Sequence, residues 1–197
     1  MSEKVLNDEL SWTEVGAIPT PGGGCVRDAF QLAFGDPTKE LLPAGMSLYK
    51  FNGFSTLGRG TITDATELAP WWSPTYAFKH DAGLAQRMAI AEKLGVSFLE
   101  WGRLTSAIKE NWSSMKWLLQ IELKVKVCAW FGGFKSVSRI DADAKSLRDP
   151  KDEAKGGSAN LPGGGTQFYI PNLTVGHVAC HSLMPLTEIT YAFEPLQ

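Results

Sequence analysis

Three short stretches concentrate side chains that could do chemistry. Leu48-Tyr49-Lys50 places a cation after an aromatic residue, and Trp72-Ser73-Pro74-Thr75 offers two hydroxyls beside an indole. Gln167 comes just after Gly163-Gly164-Gly165, between Thr166 and the aromatic pair Phe168-Tyr169. A lysine can neutralise a phosphate, hydroxyls can fix a strand edge, and an amide can grip a ribose. Aromatic faces can stack on a nicotinamide ring. Taken together, these are parts for holding a dinucleotide.

A second constellation is Cys25 with His177. Cys25 follows three glycines and is expected to open a helix, where the dipole favours thiolate. His177 is expected to project from a late strand, which gives the thiol–imidazole pair of a cysteine hydrolase. His177, Cys180 and His181 do not promise a metal site. On a strand the two histidines share a face and the cysteine points away, so one ion cannot take all three. Gly163-Gly164-Gly165 lacks the Lys-Ser/Thr ending of a phosphate loop and precedes a strand. Trp101, Trp112 and Trp117 fall on faces that predict core. Trp71-Trp72, bracketed by Pro70 and Pro74, predicts at least one indole on a cleft or a partner surface.

The elements that must position these residues can be read from periodicity. Residues 26–34 keep helical spacing up to Gly35-Asp36-Pro37, and 46–51 reads as a short strand. Residues 53–63 read as loop. One helix is expected with Asp81 as cap, Leu84, Met88 and Ala91 on its buried face, and Gly95 at its end. A second opens at Ser97-Phe98-Leu99-Glu100, a capping box, and carries Trp101, Leu104, Ile108 and Trp112 on its apolar face. Residues 117–129 alternate apolar and polar, which predicts one long strand with a buried and a wet face. Further strands are expected at 166–170, 174–179 and 187–193. Helices in the middle and strands mostly late predict α+β rather than alternating βαβ.

Composition narrows the class. The chain has 197 residues, 44% of them apolar, with a formal net charge of -2. That excludes disorder and argues against a basic nucleic-acid binder. No apolar run is long enough to span a bilayer, and the polar N-terminus is not a cleaved signal peptide. Synthesis in the cytoplasm is expected, with any secretion independent of such a peptide. Three cysteines, an odd number, point away from a disulfide scaffold. Residues 1–24 read as a flexible N-terminal arm and 25–197 as a single α+β domain. Within it, 139–165 reads as a mobile loop, charged first and glycine-rich after.

The three chemical stretches, in this order, resemble the Arg-Ser-Glu type of ADP-ribosyltransferase, over residues 46–175. The resemblance implies a bacterial effector or toxin domain built as a mostly antiparallel split β-sandwich with helices packed on one side. It implies NAD as cofactor and a protein target or cognate inhibitor protein as partner. Lys50, Ser73 and Gln167 take the catalytic positions, and Tyr49, Trp72, Thr75 and Phe78 the cofactor-binding ones. At the glutamate position stands Gln167, and at the arginine position Lys50. A glutamine cannot stabilise an oxocarbenium-like transition state as a carboxylate does. The resemblance thus leaves open an active transferase, a binding-only domain, or a partner-binding effector with no reaction.

Overall fold

The computed structural model describes residues 5–10, 18–19, 25–26, 30–31, 37–58, 60–76, 78–79, 83–141, 144–145, 147 and 160–191. Strands β1 (Ile18–Pro19), β2 (Cys25–Val26) and β3 (Phe30–Gln31) are short, and β4 (Thr38–Leu42), β5 (Ser47–Asn52) and β6 (Trp71–Pro74) follow. Helices α1 (Leu84–Lys93) and α2 (Phe98–Thr105) come next. Strands β7 (Trp117–Leu123), β8 (Val127–Phe134), β9 (Val137–Ser138), β10 (Asn160–Leu161), β11 (Thr166–Tyr169) and β12 (Val178–Pro185) complete the fold. Among the described residues, eight strands form one sheet, in the order β12-β7-β5-β6-β11-β8-β3 with β4 also paired to β8. All of its strand pairs are antiparallel. This is the α+β, mostly antiparallel architecture expected from the sequence.

The sheet divides at β6. Trp71 and Trp72 pair with Tyr169 and Phe168 of β11, whereas Ser73 and Pro74 pair with Tyr49 and Leu48 of β5. Leu48, Leu119, Ile121 and Leu123 from one half share a core with Val127, Ala129, Phe131 and Phe168 from the other. Neighbours in sequence alternate faces, so Tyr49, Phe51 and Leu118 pack against Met88 of α1 and against Phe98 and Trp101 of α2. A third cluster, of Phe30, Trp130 and Tyr169, is joined by Trp71.

Both helix ends follow from their residues. At the end of α1, Gly95 takes φ +73°. Its amide donates to Glu92 O and that of Val96 to Ala91 O, the paired bonds of a glycine-terminated helix. Ser97 caps α2 by accepting from the Glu100 amide at 3.2 Å. Gly102 sits where α2 meets β5, and a Cβ there would lie 2.3 Å from the Phe51 ring. We expect Gly102→Ala to lose about 1–2 kcal/mol despite the better helix propensity of alanine, read as a lower urea midpoint.

Several expectations are corrected. The helix over 26–34 is absent where the chain is described: Cys25–Val26 and Phe30–Gln31 are strands, on which β-branched and aromatic side chains pair well. The long strand over 117–129 breaks at 124–126, so β7 and β8 join opposite halves of the sheet. A period of two cannot register such a break, because the alternation runs through it. Of the strand expected at 174–179, Val175–His177 is a 3-10 turn and β12 begins at Val178. At 187–193, Leu186–Glu188 is likewise a 3-10 turn, and Ile189 and Tyr191 are buried without being strand. Helix α2 ends at Thr105, because Ala107 takes φ +49°, and Trp112 is 57% exposed rather than core.

Within the expected arm, Leu6 bridges Val127, and the Asn7 amide donates to the carbonyls of Cys128 and Pro171. Within the expected loop, β10 pairs with β9. Gly163 and Gly165 donate their amides to Leu104 O and Thr105 O, carbonyls left over at the end of α2. Gly163 has φ +71°, and a Cβ there would lie 2.3 Å from Phe134 O, so this turn needs glycine. Asp81, the joint at 22–24 and residues 148–159 lie outside the described residues.

Candidate functional site

The split sheet leaves a cavity of about 500 Å³ where its halves part. Lys50 of β5, Trp71, Trp72 and Ser73 of β6 and Gln167 of β11 all line it. The residues expected at the catalytic positions therefore meet in one place, although Lys50 and Gln167 are more than a hundred positions apart in the chain. The end of β8, with Phe134 and Lys135, and the segment 106–113 after α2 complete the wall. Among the described residues the wall carries two lysines and no Asp or Glu.

Lys50 Nζ stands 5.1 Å from the centroid of the Trp72 ring. An ammonium over an indole face gains from the ring quadrupole but loses water. Burial pulls its pKa down from 10.5 to about 8. Trp72 is itself 1% exposed, and its indole N–H is buried with no hydrogen-bond partner among the described residues. Ser73 and Gln167 are buried polar residues on the same wall.

The remaining expected cofactor contacts lie elsewhere. Tyr49 packs with Phe51 and the helices, and it borders a second cavity of about 10 Å³ together with Ser73, Arg87, Thr105 and Thr166. Phe78 sits edge-on to Phe131 and Phe168 at 4.9 and 5.1 Å, in the core between the half-sheets. Thr75 is 1% exposed, and its hydroxyl has no hydrogen-bond partner among the described residues. Tyr49, Thr75 and Phe78 thus support the cavity's strands without lining it.

Two parts of the site escape sequence reasoning. Lys135 directly follows a strand, like many solvated lysines, and nothing nearby marks it out. The segment 106–113 owes its shape to Arg103, which is fully buried in α2. Its guanidinium donates to Ile108 O at 2.9 Å and to Ser113 O at 3.2 Å, carbonyls of two wall residues. An arginine on an otherwise apolar helix face, just before a polar connection, was the available signal.

A polar clasp holds the rim. Asp141 accepts from Lys109, from the Asn111 amide at 2.9 Å and from the Trp112 indole at 3.2 Å. Arg139 donates to Glu110 at 2.7 Å and to Glu100 at 3.0 Å, tying the rim to α2. Burial tends to lower the Arg139 pKa, but its bonds to the two glutamates outweigh that and raise it. The hydrogen bond from Lys109, then that from Asn111, holds Asp141 below the usual aspartate range. A depressed carboxyl stabilises the fold above its unfolded pKa and loses that contribution as pH falls through the folded one. The clasp should therefore stay closed down to pH about 4, the unfolded aspartate value, and open below it. Trp112 fluorescence should report the opening, and Asp141→Asn should abolish that acid transition.

The hydrolase pairing does not survive in the form expected. Cys25 lies in a strand paired with Ile18–Pro19, where a helix start was expected. His177 Nδ1 accepts from the Thr174 amide at 3.1 Å, so that nitrogen is committed to capping a turn. Nor do Trp71 and Trp72 form an exposed docking patch, since Trp72 is buried and both line the cavity.

No family model matches the sequence, and no curated protein matches it. Among solved structures, the chain is similar to one described as Rhs1-CT in complex with cognate immunity protein RhsI1. The two are 15% identical with a TM-score of 0.36, covering 76% of this chain and 80% of that one. No helix among the described residues is long and apolar enough to cross a membrane.

Proposed function

We propose that this chain is an effector-type domain whose cavity binds NAD, or a dinucleotide of the same chemistry. One observation carries the reading: Lys50, Ser73 and Gln167, expected from their residue types and the resemblance to form a dinucleotide site, line a single cavity. Lys50 and Lys135 provide cations for a pyrophosphate, Trp71 and Trp112 provide faces for the rings, and Gln167 provides an amide for a ribose. A volume of about 500 Å³ is of the size that ligand pockets take.

The lining also favours binding over transfer. Breaking the nicotinamide–ribose bond builds positive charge on the sugar, and a carboxylate beside it is the usual remedy. By the resemblance Gln167 takes that position, and among the described residues two lysines line the same cavity. The ADP-ribosyltransferase resemblance is therefore carried as far as cofactor binding and a protein target or cognate inhibitor as partner.

Calorimetry with NAD at up to millimolar concentration tests this. Saturable heat that disappears in Lys50→Met is expected, with no nicotinamide release above the uncatalysed rate. Absence of binding by the native chain overturns the cofactor assignment, and rapid nicotinamide release overturns the binding-only form.

A further inference from the structure

Holding an anion does not exhaust what Lys50 can do. Its Nζ is held against the Trp72 face, in a cavity whose wall offers it no carboxylate among the described residues. Among the described residues the other charged group on that wall is Lys135, a second cation. An amine so placed is poorly hydrated and, when neutral, keeps a free lone pair, the state in which lysine attacks carbonyl carbon. Ser73, on the same wall, carries a hydroxyl able to donate to a carbonyl oxygen. The surrounding indoles and Phe134 suit a flat ring, and Lys135 suits a negative substituent on it.

We propose that Lys50 is a nucleophilic amine that captures small anionic aromatic aldehydes as imines inside this cavity. The neutral amine adds to the carbonyl carbon to give a carbinolamine. Its C–O bond then breaks, and the oxygen departs as water with the two hydrogens that began on nitrogen, leaving a carbon–nitrogen double bond. No oxidant or reductant is consumed. Burial supports the step by bringing the amine's pKa to about 8. At pH 8 about half of Lys50 is then neutral, against well under a hundredth of an ordinary lysine. This goes beyond the dinucleotide reading, because imine formation needs the amine and the cavity but no pyrophosphate contact.

The test treats the full chain at pH 8 with 4-carboxybenzaldehyde and cyanoborohydride, which traps imines as secondary amines, and maps the modified peptides by mass. Lys50 is expected to be modified at least roughly tenfold faster than any other lysine, given its larger neutral fraction. Lys50→Arg, which keeps the charge but loses the amine, should remove the fast phase, and Lys135→Met should leave it on Lys50. Even modification across surface lysines, or a fast phase that survives in Lys50→Arg, overturns the proposal. Adding NAD separates the two readings. Protection of Lys50 supports both, and fast labelling of Lys50 with no NAD heat leaves the amine standing without the dinucleotide. NAD heat with ordinary labelling sinks the amine alone.

Discussion

Replacing Arg103 with methionine is expected to cost roughly 3 kcal/mol of stability and to collapse the wall of the cavity. The guanidinium is fully buried, and two of its donors hold the carbonyls of Ile108 and Ser113. Each carbonyl left without a partner in a dry site costs about 1–3 kcal/mol. The variant recovers part of the sum, because a charge no longer has to be desolvated. Methionine keeps most of the aliphatic stem's packing, so the loss reports the hydrogen bonds rather than a hole. Arg103→Lys should recover little, since one ammonium cannot copy a planar fork that reaches two carbonyls. Urea denaturation measures the cost. If the segment 106–113 depends on Arg103 as described, ligand affinity should fall along with stability. A variant that loses stability but keeps full affinity would make Arg103 a support of α2 alone.

Arg103 also marks where sequence reading reached its limit. Local signals translated well: Gly95 ended α1, Ser97 capped α2, and the alternation after Trp117 became strand. Each of these depends on a few neighbouring residues and the backbone geometry they prefer. What failed depended on partners distant in sequence. The break between β7 and β8 arises because the two strands serve different half-sheets, yet the alternation of β7 runs on through 124–126 to Val127, the first residue of β8. The apparent helix at 26–34 has the right spacing, but Phe30 pairs with Phe134 across a sheet edge. Phe78 looks like a cleft aromatic beside Ser73 and Thr75, while its ring is claimed by Phe131 and Phe168. The site itself was half legible. Lys50, Ser73, Trp72 and Gln167 were named from residue type and order, whereas Lys135 and the segment 106–113 enter only through tertiary packing.

Lys50→Met is expected to stabilise the free protein at neutral pH, by about 2 kcal/mol, while abolishing its ligand chemistry. The native lysine has its pKa lowered from 10.5 to about 8 by burial. Below pH 8 both folded and unfolded chains are protonated, and the folded one bears the full desolvation cost, about 3 kcal/mol at 1.4 kcal/mol per pH unit. Attraction to the Trp72 face offsets roughly 1 kcal/mol of that. From pH 8 to 10.5 the folded lysine has given up its proton and the unfolded one has kept it, so native stability rises with pH. Above 10.5 both are neutral and the cost is gone. The gap between native chain and variant should therefore be widest near pH 7 and close between pH 8 and 10.5. Lys50→Arg stays charged throughout and should show no such recovery. Paired urea titrations at pH 7, 9 and 10.5 measure the gap directly. A gap that does not change with pH would mean that Lys50 is solvated, and with it both the dinucleotide contact and the nucleophilic amine would lose their physical basis. A cation whose water is partly stripped by the cavity walls, at a cost to the free fold, is what an anionic ligand repays on binding, because its charge restores the solvation that the walls removed.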